Sequence, residues 1–198
     1  MGAETDRGLR RVVATVAMAN LAWFGVEFAV ASAIGSVSLF ADSADFLEDA
    51  SLNLLVLLAL GWSSRVRARV GLALSVLLLA PGVATVWMAW TRFTSPGAPD
   101  PVALGFTGLG ALAVNFGCAL LLVRRRDHGG SLTRAAFLSA RNDVLASLAI
   151  MAAGAATAIT HVRWWDLGVG LAIGAMNADA ARTVWRAARR EGRVASAI

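Results

Sequence analysis

Six apolar stretches, each about long enough to cross a bilayer and joined by short loops, dominate this chain. A transmembrane helix needs about 20 mostly apolar residues. Such stretches lie near residues 12–34, 36–62, 70–91, 102–123, 135–160 and 164–185. They predict an all-α membrane protein with six transmembrane helices. The expected organisation is a single transmembrane domain over 1–198, with no soluble domain on either side. The first stretch does not read as a cleaved signal peptide, because no small-residue cleavage site precedes a soluble mature domain. Composition agrees. Hydrophobic residues make up 58% and charged residues 16%, against roughly 45–50% and about 25% in soluble domains. A disordered chain, a collagen-like repeat and a disulfide-rich scaffold are excluded. The single cysteine, Cys118, allows no internal disulfide, and two histidines, His128 and His161, are too few for a His-rich metal site.

The arginines orient the chain. There are eighteen and no lysine, a bias that reflects genome composition. Fifteen lie before the first stretch, between the second and third, between the fourth and fifth, or at and after the end of the sixth. The opposite loops hold only Arg92 and Arg163. The positive-inside bias therefore places both termini in the cytoplasm, which requires an even number of spans. A multi-pass protein of a bacterial plasma membrane is expected. The net charge of +5 is read as anchoring to lipid headgroups, and no nucleic-acid partner is expected. Trp62, Trp87, Trp90, Trp164 and Trp165 fall near span ends as an aromatic belt. Pro81 is a potential kink in the third span. Gly168, Gly170 and Gly174 form a small-residue face for close helix packing.

Against this background five acids stand out: Glu27 in the first span, and Asp42, Asp45, Glu48 and Asp49 in the second. An Asp at the centre of a spanning helix costs roughly 2.5–3.5 kcal/mol on the insertion scale, so four at full depth would oppose insertion by ~10 kcal/mol. Such a cost marks a functional site. A helical residue advances about 100° around the axis. Asp49 then lies about 40° from Asp45, and Asp42 about 60° away on the same side. Asp45 and Asp49 are i and i+4, so both carboxylates can reach one ion. In the fifth span Ser139 and Asp143 repeat that spacing, with Arg141 and Asn142 beside them. Two helices that each offer an i, i+4 oxygen pair can surround a small cation. Zinc takes four ligands, at about 2.0–2.2 Å from carboxylate oxygen; manganese and magnesium prefer six oxygens.

Blander readings exist for each residue. The acids could neutralise arginines, as Arg141 could for Asp143, and Asp42 and Glu48 could line an access path. A helical serine such as Ser139 usually bonds its own backbone. Glu27, Asn20, Asn53, Asn115 and Asp179 read as interhelical glue, with Glu27 also a candidate proton site. Asp127 and His128 read as a solvated loop, and Cys118 as a small core residue.

The run Gly35-Ser36-Val37-Ser38-Leu39-Phe40-Ala41-Asp42-Ser43-Ala44-Asp45-Phe46-Leu47-Glu48-Asp49 resembles the cation diffusion facilitator family. That family carries G-S-x-S/A-L-x-A-D in helix 2, followed by H/D-x-x-x-D, and Asp45 and Asp49 occupy the last pair. Ser139-Ala140-Arg141-Asn142-Asp143-Val144 matches the second half of the helix 5 motif, H/D-x-x-x-D-V. Trp164-Trp165-Asp166-Leu167-Gly168-Val169-Gly170 is similar to the start of the family's helix 6. The resemblance implies export of divalent cations, usually zinc, from the cytoplasm in exchange for protons, by a homodimer. Ser139 stands where the family usually has His or Asp, so water, the Ser139 hydroxyl or Asn142 would complete the coordination. The family's cytoplasmic dimerising domain is expected to be missing, leaving dimerisation to the membrane helices.

The expected function is therefore export of Zn2+, or of Mn2+, Co2+, Cd2+ or Fe2+, by proton antiport. Asp45, Asp49 and Asp143 would hold the ion. Three carboxylates in one site repel one another unless a cation or protons neutralise them, so entry of one expels the other. The partners are lipid, a divalent ion, protons and a second copy, with no cofactor. Two alternatives remain at this point: a proton- or sodium-coupled transporter of a small organic cation, and a non-transporting membrane scaffold. An enzyme is not expected, because no span offers a Ser/His, His-Glu or paired-His arrangement.

Overall fold

A computed structural model describes residues 2–59, 64–94, 97–123 and 130–196. These form six helices: α1 (Gly2–Ile34), α2 (Val37–Ala59), α3 (Ser64–Thr94), α4 (Pro101–Val123), α5 (Gly130–Thr160) and α6 (Trp164–Ser196). The helix ends near the arginine-poor loops agree with the apolar stretches to within three residues. Of the opposite ends, those of α1, α3, α5 and α6 run past them, whereas α4 ends at Val123 as expected and α2 is described to Ala59, short of 62. α1 begins at Gly2 rather than near 12, and α6 continues to Ser196 rather than ending near 185. Apolarity stops where the bilayer stops, whereas arginine and alanine continue a helix comfortably into water.

Local signals explain the outer turns. Gly35 takes φ +67°, and the Ser36 N–H donates to the Ala31 carbonyl at 3.1 Å. That bond and a left-handed glycine make a Schellman end for α1. Asp100 caps α4, accepting from the N–H groups of Val102 (2.8 Å) and Ala103 (3.2 Å). Pro101, at the first helical position, has no N–H to leave unpaired. α3 runs through Pro81 as one continuous helix.

The distribution of side chains is that of a protein solvated by lipid. Phe106, Trp87 and Ile159 are 71%, 70% and 81% exposed, whereas Asn20, Glu27, Ser38, Asp42 and Asn115 are buried. A water-soluble fold would reverse that arrangement. α1, α4 and α5 each carry a segment apolar and long enough to cross a membrane, at Arg10–Ile34, Pro101–Val123 and Asn142–Thr160. α2 falls short of that standard because of its four acids. Trp87, Trp90, Trp164 and Trp165 are exposed near the outer helix ends, as a belt requires; Trp62 lies outside the described residues.

The helices pair as α1 with α2, α4 with α5, and α3 with α6. Among the described residues, the α3/α6 pair meets the other four helices only through α2 and α5, whereas α2 touches all five other helices. The most acidic helix is thus the central one. The principal core, with Ala31, Leu39, Leu104, Ile150 and Ile173, brings five helices together around its outer half.

The α6 glycines are used more selectively than their spacing suggests. A Cβ on Gly170 would lie 2.6 Å from the Val37 carbonyl carbon, and one on Gly174 would lie 3.2 Å from Thr85 of α3. Gly168 has open space around it and takes no part in that face.

Candidate cation site

The outer end of α2 is held by a residue from α6. Ser36 begins the helix, its hydroxyl accepting from the Leu39 N–H at 3.1 Å. That is the usual work of an N-cap serine. The same hydroxyl donates to Asp166 Oδ1 at 2.6 Å. Ser38 donates to Oδ1 from its hydroxyl (2.5 Å) and its N–H (3.2 Å), and the Val37 N–H donates to Oδ2 at 2.8 Å. Asp166 is buried, and its carboxylate faces the positive end of α2 with four donors. Farther in, Asn177 Nδ2 of α6 donates to the Ala41 carbonyl at 3.0 Å. Gly170 lies between these ties, where the two backbones approach too closely for a side chain.

From that anchored end α2 carries its acids inward. At 1.5 Å per residue, Asp42, Asp45 and Asp49 lie about 7.5, 12 and 18 Å beyond Val37 along the axis. Asp42 and Glu48 are buried, and Asp45 and Asp49 are half-buried. Glu27 of α1 is fully buried and within electrostatic reach of Asp42. Among the described residues no hydrogen-bond donor other than a carboxyl group reaches the oxygens of Glu27 and Asp42, whose side chains pair with each other. Asp143 of α5 is half-buried and shares a side-chain hydrogen bond with another acid, Asp49. Asp143 acts electrostatically on Asp45 and interacts with Asp49, so the structure brings the three acids of α2 and α5 into one region. Among the described residues, the charges acting on Asp45 are all of its own sign: Asp143, Asp42, Glu48 and Asp49. Two like charges about 6 Å apart repel by about 3 kcal/mol at an effective dielectric of about 20. A divalent cation reverses the sign of that term.

The acids approach one another without closing. Among the described residues, no three His, Cys, Asp or Glu side chains converge at metal-binding distance. Asn142 is exposed. The side chains of Ser139 and Arg141 lie outside the described residues, as do Asp127 and His128.

The other polar residues divide. Asn115 Nδ2 donates to Ser147 Oγ at 3.1 Å, which donates in turn to the Asp143 carbonyl at 2.9 Å. This ties α4 to α5 one turn from Asp143. Asn20 of α1 accepts from Cys118 of α4 at 3.8 Å, so both are interhelical. Asn53, in contrast, donates to the Asp49 carbonyl of its own helix at 2.8 Å; its tie is local rather than interhelical. Asp179 is exposed on α6. Sequence reasoning missed Asn177 and Ser147, and took Asp166 only as part of a family segment. The available signal was Ser36-x-Ser38 directly before the second span, a helix start that invites an acceptor.

A comparison with curated proteins finds no match to this chain. The sequence does match the cation efflux transmembrane domain over residues 13–191, nearly its whole length. With six helices, a central acidic helix and that match, the chain belongs to the cation diffusion facilitator (cation efflux) family of membrane cation transporters.

Proposed function

We propose that this protein exports a divalent metal cation, Zn2+ or a similar ion, from the cytoplasm in exchange for protons, and that it works as a homodimer. The observation that carries the reading is the position of the acids. The one helix in contact with all five others carries Asp42, Asp45, Glu48 and Asp49, and faces Asp143 across the bundle. Burial of so much like charge is costly and useful only if a cation is handled there.

In this reading Asp45, Asp49 and Asp143 supply the ligands, with Ser139, Asn142 or water completing the shell. Carboxylate oxygens suit Mn2+, Fe2+, Co2+ and Cd2+ as well as Zn2+. The ion draws the three carboxyl groups together. Glu27 and Asp42, farther out along α1 and α2, serve the returning protons, and Glu48 lines the cytoplasmic approach. Protons entering from outside displace the metal once the bundle opens that way, and no cofactor or covalent step is needed.

The test is uptake of zinc into inverted vesicles under an imposed pH gradient. The wild type accumulates zinc, and dissipating the gradient stops it. Full zinc transport by Asp49→Ala would refute the assignment. Melting scans with zinc, manganese, cobalt and cadmium separate the metal from an organic cation, because a ligand stabilises the folded state according to its occupancy.

A further inference from the structure

We propose that Asp166 is a positioning residue of the transport cycle: a latch at the outer mouth that holds α2 against α6 and must release for that mouth to open. The inference rests on reading the chain as a transporter that opens to both sides of the membrane.

Among the described residues, the α3/α6 pair contacts the remaining helices only through α2 and α5, a seam along which it can move as a unit. At the outer end of the α2/α6 seam, Asp166 takes all four of its donors from residues 36–38. Those residues are the first of α2, the helix that carries the candidate ligands. Gly170 removes the side chain that would otherwise keep the backbones apart. The cluster of Val37, Ala89 and Leu167 seals the same spot with apolar contacts. Any widening of this seam breaks the Asp166 bonds first, because they are short and directional and sit at its outer edge.

The surroundings keep the latch accessible to solvent-borne reagents once it parts. A small cleft at the outer surface is lined by Gly35, Val37, Arg92, Arg163 and Asp166. Arg92 packs over Gly35, where an added Cβ would overlap its guanidinium. Arg163 donates to the Phe93 carbonyl at 3.0 Å, binding the start of α6 to the end of α3. Arg163 thus fastens the start of α6 to α3, and Asp166 bonds directly to the first turn of α2. A hydrogen bond to a charged group is worth about 1.5–3 kcal/mol net, or more than tenfold in an equilibrium.

The experiment uses one thiol as a reporter. Val37, 1% exposed beside the cleft, is changed to Cys in a Cys118→Ser background, in right-side-out vesicles. A charged, membrane-impermeant thiol reagent is added from outside. With Asp166 present, labelling is slow. Asp166→Asn raises the rate at least about tenfold, and Asp166→Glu restores slow labelling, while the cooperative melt followed by tryptophan fluorescence is retained. An unchanged labelling rate in Asp166→Asn overturns the latch. Faster labelling with loss of the cooperative melt also overturns it, since Asp166 would then be merely structural. The labelling is done with no metal added and does not read transport, so failure of the metal assignment and failure of the latch are read separately.

Discussion

Two buried acids on facing sides of α2 are treated in opposite ways. Asp166 has four hydrogen-bond donors on its two oxygens. Asp42, fully buried about 7.5 Å farther in along the same helix, has no hydrogen-bond partner among the described residues except another acid, the carboxyl group of its neighbour Glu27. A buried polar group left unmatched costs about 1–3 kcal/mol, and more if charged. The first acid holds the outer end of α2 against α6. The second group is tolerated at a cost, which points to handling of a positive charge. The contrast separates a holding acid from cation-handling acids along a single helix.

The sharpest way to break this contrast is at the inner group. Asp49→Ala or Asp45→Ala should reduce metal transport in inverted vesicles by more than the roughly 10–100-fold that loss of an outer-shell partner costs at metal sites. Denaturation in detergent should show the variants no less stable than the wild type, because like charges have been separated. Next in size is Asp166→Ala. Removing one side of a buried charged cluster strands the Ser36, Val37 and Ser38 donors, and should cost about 3–5 kcal/mol in the same denaturation measurement.

Gly170→Ala comes third. Its Cβ would lie 2.6 Å from the α2 backbone, an overpacking that costs about 1–3 kcal/mol. Gly168→Ala two positions earlier meets open space and should leave stability within about 0.5 kcal/mol of the wild type or improve it. The smallest effect sharpens the comparison from its other side. Glu27→Gln and Asp42→Asn should each stay within about 1 kcal/mol of the wild type in stability, while altering the dependence of transport on the imposed pH gradient. If these two changes destabilise as much as Asp166→Ala, the distinction between holding acids and transporting acids fails.

Much of the molecule was legible in the order of its residues. The outer helix ends were marked by Gly35 and by Asp100-Pro101, whose conformational demands are local. The stripe of Asp42, Asp45 and Asp49 followed from helical periodicity alone. The inner ends of α1, α3, α5 and α6 were not legible, because an arginine-rich amphipathic segment such as the end of α6 has no apolar boundary to mark where it stops. The role of Asp166 was hidden for a different reason: its partners lie about 130 positions away in sequence. Periodicity carries no information across that distance; the packing of α6 on α2 supplies it. Likewise Asn53 and Asn115 look alike in sequence, yet one bonds its own helix and the other crosses to α5.

The most direct measurement is a crystal structure of the zinc-loaded protein with anomalous diffraction recorded at the zinc edge. One peak between α2 and α5, with oxygens of Asp45, Asp49 and Asp143 at about 2.0–2.2 Å, is the predicted result. A peak elsewhere, or those three carboxyl groups turned to separate protein partners with no metal between them, would contradict it.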